Sequence, residues 1–256
     1  MFKDELKAVA NVGKNKVNLL KNNKLGYMVS SILAGLYIGL GIMLIFSIGG
    51  ILTNGGSPAA KIVMGASFGV ALSLVIFAGA ELFTGNNFVM TVASLDGSVS
   101  FIETIKVWIA AFIGNLIGSV IGAWAFVMAG LATGPVGEFI AKTSAMKMTM
   151  GASELFMRGV LCNILVCLAI WCSIKLKSES GKLIMTFWCL FVFITAGFEH
   201  SVANMTLLAI GILSQQGMSI TISGFIYNIG IVTLGNLVGG ILLAVCYHII
   251  SKNKLN

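Results

Sequence analysis

The sequence predicts an all-α integral membrane protein with six transmembrane helices. Of its 256 residues, 57% are hydrophobic and 10% are charged, a balance that does not describe a soluble surface. The apolar residues form long continuous runs separated by short polar loops. The strands of a membrane barrel are segments of roughly ten residues in which apolar and polar residues alternate. A spanning helix instead needs about 20 apolar residues in a row. The runs therefore favour helices over a barrel.

Residues 1–24 are predicted to form a cytoplasmic amphipathic segment ahead of the spans. The segment has no apolar core, so it is not a signal peptide. Phe2, Leu6 and Val9 fall near helical spacing, which fits a helix on the inner membrane surface with its lysines toward anionic lipid. Those lysines are Lys3, Lys7, Lys14, Lys16, Lys21 and Lys24. The remaining residues, 25–256, are predicted to form one six-span domain.

The second apolar run is too long for one straight span. The first span is predicted from about Tyr27 to Leu52. The next run, Ile62–Leu95, has 34 residues, which as one helix would be about 50 Å long against a hydrocarbon core of about 30 Å. Residues Thr84–Asn87 are Thr-Gly-Asn-Asn, which are unfavourable in the middle of a helix. Threonine and asparagine are favourable at a helix N-cap. We therefore predict a break there and a new half-helix that starts near Thr84–Asn86.

The third span, about Val107–Leu131, carries the pattern Gly114-x3-Gly118-x3-Gly122. Small residues at this spacing let helix backbones approach closely, either within a bundle or between subunits.

The second half of the chain follows the same plan. A loop is predicted over Ala132–Ser153, followed by a fourth span, about Glu154–Ile174. The fifth apolar run, Leu183–Ser214, again exceeds one span, and we predict a break near Glu199–Asn204. A sixth span covers about Ser223–Ile250.

The basic residues predict the orientation of the six spans. The net charge is +7, but its lysines and arginine are distributed by topology rather than gathered in a patch for nucleic acid. Of the 16 basic residues, 12 fall on one side, which the positive-inside rule makes the cytoplasm. The basic residues on the other side are Lys61, Lys142, Lys147 and Arg158. The prediction is a multi-pass protein of the cytoplasmic (plasma) membrane with both termini in the cytoplasm.

Two sequence patterns recur and indicate an internal repeat. Gly79-x-Glu81-x4-Asn86 returns as Gly197-x-Glu199-x4-Asn204, and Gly114-Asn115 returns as Gly235-Asn236. The repeat halves are about 25–131 and 152–250, with three spans each. Because three is odd, the halves must have inverted topology, and their broken helices meet near the bilayer midplane.

The breaks predict a permeation path. Irregular backbone at membrane depth is tolerated only inside protein or along a water-filled cavity, and the ionisable pair Glu199 and His200 at such a depth indicates a functional site. Half-helix N-termini directed at the path favour an anionic solute. An acidic lining would repel anions. Glu81 and Glu199 are therefore predicted to be structural, either capping half-helix amides or bonding a neighbouring protomer. Asn86 and Asn204 are also predicted to be structural residues of the breaks.

No cofactor or metal site is predicted. The five cysteines lie inside apolar segments and none form a CxxC pair, so we interpret them as buried small hydrophobic residues.

Three motifs stand out in the apolar runs, namely Ala78-Gly79-Ala80-Glu81-Leu82-Phe83-Thr84-Gly85, Gly159-x2-Cys162-Asn163-Ile164-Leu165-Val166-Cys167-Leu168-Ala169 and Gly197-Phe198-Glu199-His200. With these motifs the chain resembles the formate/nitrite transporter family, and the likeness is closest to its hydrosulfide-channel branch. The resemblance covers all six spans. It implies an aquaporin-like protomer in a homopentamer, with one pore per protomer that passes small monovalent anions of weak acids, and no enzymatic activity.

The resemblance also implies the pore residues. His200 matches the family's central histidine, Thr84 the broken-helix threonine and Asn163 the asparagine after the fourth-span cysteine, while Lys147 matches an entrance lysine. The positions that match constrictions are Leu82, Phe83, Phe193, Phe68 and Leu72.

The expected function is a passive or proton-linked channel, with hydrosulfide as the best candidate and formate and nitrite also permeant. A cationic vestibule would attract the anion, and His200 or bulk water would protonate it between apolar rings, because a neutral acid crosses such a ring more easily than an ion. His200 could instead be a buried neutral histidine bonded to backbone, and Lys147 a solvated loop charge.

Three other functions are weighed against this one. A proton-coupled formate/nitrite carrier shares every feature above. A water or glycerol channel normally has a paired Asn-Pro-Ala pattern, whereas the prolines here, Pro58 and Pro135, both lie in predicted loops. An intramembrane enzyme would need a nucleophile context that the adjacent pair His200 and Ser201 lacks, because adjacent residues point apart on a helix.

Overall fold

A computed structural model describes residues 1–252 of the chain. The predicted channel domain therefore ends four residues outside the described part, and Lys254, expected on the cytoplasmic side, lies there too. The described residues form eleven α-helices. These are α1 (Lys3–Asn22), α2 (Lys24–Asn54), α3 (Ala60–Ser67), α4 (Gly69–Ser73), α5 (Phe83–Leu95), α6 (Phe101–Met128), α7 (Gly134–Thr149), α8 (Ala152–Lys175), α9 (Glu179–Ala196), α10 (Ser201–Ser214) and α11 (Ile222–Ser251).

The predicted six-span architecture is confirmed. Six helical stretches within residues 1–252 are long and apolar enough to cross a membrane, namely α2, the stretch Ala60–Gly79, α6, α8, α9 and α11. The second span runs through α3, α4 and a π-helical segment, Leu74–Gly79, before the chain breaks and continues as α5. The fifth span, α9, breaks in the same way and continues as α10. Both predicted breaks are present, in an inverted, aquaporin-like arrangement of two three-span halves.

The two ends of the described chain lie on the same face of the bundle. The ring of Phe2 lies 5.9 Å from the ring of Tyr247, near the end of α11. We refer to this side as the α1 face and to the opposite side, where α7 connects α6 to α8, as the α7 face.

The glycine pattern of the third span packs inside the bundle, against the first span. A side chain at Gly118 would place its Cβ 1.9 Å from the Ile32 carbonyl oxygen of α2. In the second half, a Cβ at Gly239 of α11 would lie 2.4 Å from the Val160 carbonyl oxygen of α8. Only glycine allows backbones this close. The pattern was predicted to allow close approach either within a bundle or between subunits, and in this structure it does so within one chain.

The predicted loop over Ala132–Ser153 is wrong, because most of it is the helix α7. Pro135 occupies its first turn, where a proline costs no hydrogen bond. One face of the helix is buried through Ile140, Ser144 and Met148, which are spaced four residues apart. Helix α7 precedes α8 as α1 precedes α2, so a helix outside the six spans leads into each half.

The cysteines are all free thiols, and Cys162, Cys167 and Cys189 are buried as predicted. Cys172 is half-buried and Cys246 is exposed on the flank of α11, which corrects the prediction for these two. Over residues 1–252, no group of three or more metal-ligating side chains comes together.

Candidate functional site

The two helix breaks have the same local construction. Gly79 and Gly197 both have a φ of 81°, the left-handed conformation that ends a helix at low cost only with glycine. The chain then runs extended for three residues before α5 begins at Phe83 and α10 begins at Ser201. Helix α5 thus starts one residue before the predicted range, and α10 starts where the fifth run was predicted to break.

An asparagine from a neighbouring span holds the start of each half-helix. Asn115 of α6 accepts a hydrogen bond from the Phe83 N–H at 2.9 Å and donates to the Glu81 carbonyl at 2.9 Å. Asn236 of α11 accepts from the Ser201 N–H at 2.9 Å and donates to the Glu199 carbonyl at 3.0 Å. Lipid could not satisfy these backbone groups. The sequence repeat contained both asparagines, but spacing alone gave no sign of this role.

The two break glutamates bind side chains and not the half-helix amides that the sequence suggested. Glu81 accepts from Asn86 at 3.0 Å and from the Lys16 ammonium of α1 at 2.7 Å. In the second half, Glu199 accepts from Asn204 at 2.6 Å. Each glutamate therefore bonds the asparagine five residues later.

Lys147 is the counterpart of Lys16 in the second half. Its Nζ lies 2.5 Å from the Glu199 carboxylate, and the two side chains are only 13% and 2% exposed. Lys147 sits on α7 and not on a loop, so the alternative of a solvated loop charge is wrong. Its charge is paired with that of Glu199.

His200 connects the two half-helices. It is the N-cap of α10, where its Nδ1 accepts from the Ala203 N–H at 3.1 Å. Its Nε2 lies 2.9 Å from the Thr84 Oγ1 in the first turn of α5. Because Nδ1 accepts, the arrangement is that of a neutral ring whose Nε2–H donates to the threonine hydroxyl. His200 thus makes the backbone hydrogen bond that was expected of a buried neutral histidine. It also contacts a side chain of the other repeat half, Thr84.

Apolar side chains enclose a small chamber beside His200. Its volume is about 10 Å³, and its lining residues are Ile38, Phe68, Leu72, Leu82, Val166, Leu190, Phe193 and His200. The Phe68 and Phe193 rings meet edge to face at 5.4 Å, and Phe193 stacks on the His200 ring at 6.0 Å. A space of this size holds about one water molecule. Four of the predicted constriction residues therefore surround one chamber with the histidine.

Four predicted pore residues do not line this chamber, namely Thr84, Lys147, Phe83 and Asn163. Phe83 packs its ring against Phe112 of α6 at 5.3 Å. Asn163 is fully buried, and its Nδ2 donates to the Asn236 carbonyl at 2.6 Å and to the Thr84 carbonyl at 3.2 Å. The structure thus places Asn163 behind the path, where it joins the backbones of the two halves.

A cavity of about 590 Å³ leads from the α7 face to Glu199 and His200. Its lining includes each basic residue predicted for the outer side, namely Lys61, Lys142, Lys147 and Arg158. Arg158 pairs with Glu154 and donates to the Gly197 carbonyl at 3.1 Å. Within the described chain, no carboxylate lies within 4 Å of the ammonium of Lys61 or Lys142. Sequence reasoning had named neither as a site residue, although it placed both on this side.

A second cavity, of about 280 Å³, leads inward from the α1 face. Lys16, Glu81 and Asn86 line it. Leu82 lines both this cavity and the small chamber, so it separates them. His200 lines both the larger cavity and the chamber, so the chamber lies between the two cavities. We refer to these cavities as the α7-face vestibule and the α1-face vestibule.

The chain is similar in sequence to a family of transporters and to individual members of it. A sequence model described as "Formate/nitrite transporter" matches residues 3–250. The nitrite transporter NirC of Salmonella typhimurium is 42% identical over 242 residues, covering 94% of this chain and 88% of that protein. The formate channel FocA of Haemophilus influenzae is 32% identical over 212 residues, covering 75% of this chain and 73% of that one.

Two solved structures have the same fold. One, an "FNT family ion channel", superposes with a TM-score of 0.93 at 38% identity and covers 98% of this chain and 100% of that one. The other, a "Pentameric formate channel with formate bound", has a TM-score of 0.78 at 26% identity and covers 90% of this chain and 98% of that chain.

Proposed function

Because the chain belongs to the formate/nitrite transporter family, we propose that it forms a passive or proton-linked channel for small monovalent anions of weak acids. The observation that carries this proposal is the 2.9 Å contact between His200 and Thr84. It brings the N-terminal ends of α5 and α10 together between two vestibules. Positive helix-dipole ends that converge on one point favour a negative solute there.

The charges of the α7-face vestibule support an anionic solute. Glu199 is the acidic residue in its lining, against four basic ones, and its charge is balanced by Lys147. The cations left over are Lys61 and Lys142. We therefore assign the attraction of anions mainly to these two lysines, while Lys147 maintains the break by pairing with Glu199.

The apolar chamber requires the solute to pass in a neutral or nearly neutral form. A charge in so small an apolar space would lose its hydration without replacement. With His200 Nδ1 engaged by the Ala203 N–H, a protonated ring would lose its N-cap bond. We propose that His200 stays neutral and orients Thr84, whose hydroxyl hydrogen then binds the anion until a proton arrives from vestibule water.

The remaining site residues complete this path. Phe68, Leu72, Leu82 and Phe193 form the constriction. Asn163 holds the backbone of Thr84 from behind. The residues that fix the breaks from the side are Glu81, Asn86, Glu199 and Asn204.

Hydrosulfide is the proposed preferred solute, with formate and nitrite also permeant. The chamber has room for about one water molecule. Hydrosulfide has one heavy atom, whereas formate and nitrite have three each and would require the phenylalanine rings to move. A proton-coupled formate/nitrite transporter is the second candidate, because relatives of this chain carry the names nitrite transporter and formate channel.

The proposed assembly is a homopentamer in the cytoplasmic membrane with the α1 face in the cytoplasm. A pentameric formate channel is among the structures similar to this chain. The flanks of α6 and α11 expose Ile121, Trp124, Leu234 and Leu242, which suits contact with lipid and neighbouring protomers. The excess of basic residues on the α1 face supports the orientation.

The test is solute flux into liposomes that contain the purified protein, at two pH values. Hydrosulfide, formate, nitrite and glycerol are compared under equal gradients, with empty liposomes as the control. The proposal expects fast anion uptake, fastest for hydrosulfide, with glycerol excluded. Uptake of formate or nitrite against its gradient when driven by protons would favour the carrier instead. Glycerol flux without anion flux would rule out both.

A further inference from the structure

A groove of about 710 Å³ lies outside the pore, on the flank of the bundle between α1, α2 and α6. Its deep end is closed because α2 and α6 touch there: a Cβ at Gly114 would come within 2.3 Å of the Ser31 Cβ. One turn nearer the α1 face, Met28 and Ala110 line the groove. The last turn of α1 borders it through Leu20.

The rim of this groove is basic. Lys21, Lys24 and Lys106 line it together with one acidic residue, Glu103. Glu103 is already engaged, since it pairs with Lys21 and accepts the Ser100 N–H at 2.7 Å in the capping box of α6. Over residues 1–252, no carboxylate lies within 4 Å of the Lys24 or Lys106 ammonium. Two lysine charges therefore remain unneutralised.

The wall of the groove is apolar below this rim. Ile109 and Ile113 line it and are 55% and 44% exposed, on the outer side of α6. Lys106 and Lys24 stand at the beginnings of two spans, which is the level of the lipid headgroups. The wall from Lys106 to Ile113 is about 10 Å long, which matches the upper part of an acyl chain.

We propose that this groove is a binding site for an anionic phospholipid, with the phosphate between Lys24 and Lys106 and an acyl chain along Ile109 and Ile113. Basic residues at a membrane face above an apolar gap between helices are the chemistry that recognises such lipids. An apolar helix of a second copy would fit less well, because it would remove water from both ammonium groups and supply no partner. This inference does not depend on which solute the pore passes.

The first test counts lipids retained by the protein. Native mass spectrometry is performed after exchange into equal amounts of phosphatidylglycerol and phosphatidylcholine. Wild type should retain phosphatidylglycerol preferentially. Each lysine near an anionic surface contributes about a fivefold change in affinity, so the double variant Lys24→Gln/Lys106→Gln should weaken retention roughly thirtyfold. Ala110→Phe, which fills the apolar part and keeps every charge, should also reduce it.

The matched control is Lys14→Gln/Lys177→Gln, which removes two exposed lysines from the same face outside the groove. It should retain phosphatidylglycerol as wild type does. Equal retention by wild type and both groove variants would overturn the proposal.

The second test is a cryo-electron microscopy map of the protein in phosphatidylglycerol nanodiscs. The proposal expects headgroup density between Lys24 and Lys106 that continues as a chain beside Ile113. A helix of a neighbouring copy in the groove, or an empty groove in this lipid, would contradict it.

Discussion

The ammonium of Lys147 lies 2.5 Å from the carboxylate of Glu199, and Lys16 lies 2.7 Å from Glu81 at the other break. In both halves, the lysine comes from the helix that precedes the first span of that half, α7 or α1. We therefore propose that each repeat half begins with this preceding helix. Each broken span is then fixed by a charge from outside the three spans of its own half.

Neutralising one member of the Lys147–Glu199 pair should destabilise the protein. Glu199→Gln leaves a largely buried ammonium without its counter-charge, which costs about 3–5 kcal/mol for a buried pair. Lys147→Gln should cost a similar amount, and the double variant much less than the sum. Thermal unfolding of the four proteins in one detergent measures this. Strict additivity of the two single changes would mean that the pair is not coupled.

Removing the unpaired vestibule lysines should slow anion entry in a salt-dependent way. Lys61→Gln/Lys142→Gln is expected to reduce anion flux roughly tenfold at low ionic strength, since charged funnels raise encounter rates by at least this factor. The reduction should shrink at high salt. Lys177→Gln on the opposite face is the matched control. A reduction that is the same at all salt concentrations would point to altered structure instead of attraction.

The asparagine that holds α10 should be needed for both stability and flux. Asn236→Ala leaves the Ser201 N–H and the Glu199 carbonyl without these partners, at about 1–3 kcal/mol for each buried group. We expect a lower unfolding temperature and slower anion flux. Asn115→Ala should have the same two effects, because Asn115 holds the start of α5 in the same way. Wild-type flux in a fully folded Asn236→Ala protein would show that the start of α10 is held by other contacts.

Enlarging the chamber should change selectivity more than total flux. Phe193→Leu removes the ring that meets Phe68 and stacks on His200, so larger anions should gain more than hydrosulfide does. The ratio of formate flux to hydrosulfide flux, measured in the same liposomes, should rise. An unchanged ratio would place the size filter elsewhere. Phe83→Leu is the control, because that ring packs against α6 and outside the chamber.

The broad fold could be predicted because the lengths of the apolar runs and the ionisable residues inside them can be read directly from the sequence. An apolar run longer than the membrane is thick and interrupted by Glu199 and His200 cannot be a plain span. The order and inversion of the halves followed from the repeated glycine, glutamate and asparagine spacing. Helix α7 was missed because its apolar face is short and its lysines and methionines resemble those of a surface loop.

The partners of the site residues could not be predicted from spacing. Lys16 is 65 positions from Glu81 and Thr84 is 116 from His200, so only the fold brings them together. Asn163 was expected along the path because it matches a pore position of the family, but its buried Nδ2 donates to the backbone carbonyls of Thr84 and Asn236. The sequence also does not show that Lys147 is paired with Glu199 while Lys61 and Lys142 have no carboxylate within 4 Å in the described chain.

The most direct test of the central claim is anion flux through Thr84→Val, His200→Asn and the double variant in liposomes. Asparagine is a good N-cap, so His200→Asn should keep α10 in place and remove the bond to Thr84. If the two side chains bind the anion as one unit, each single variant should slow hydrosulfide flux by about fivefold or more. The double variant should then be little slower than either, with glycerol still excluded. Wild-type flux in all three variants would contradict the account.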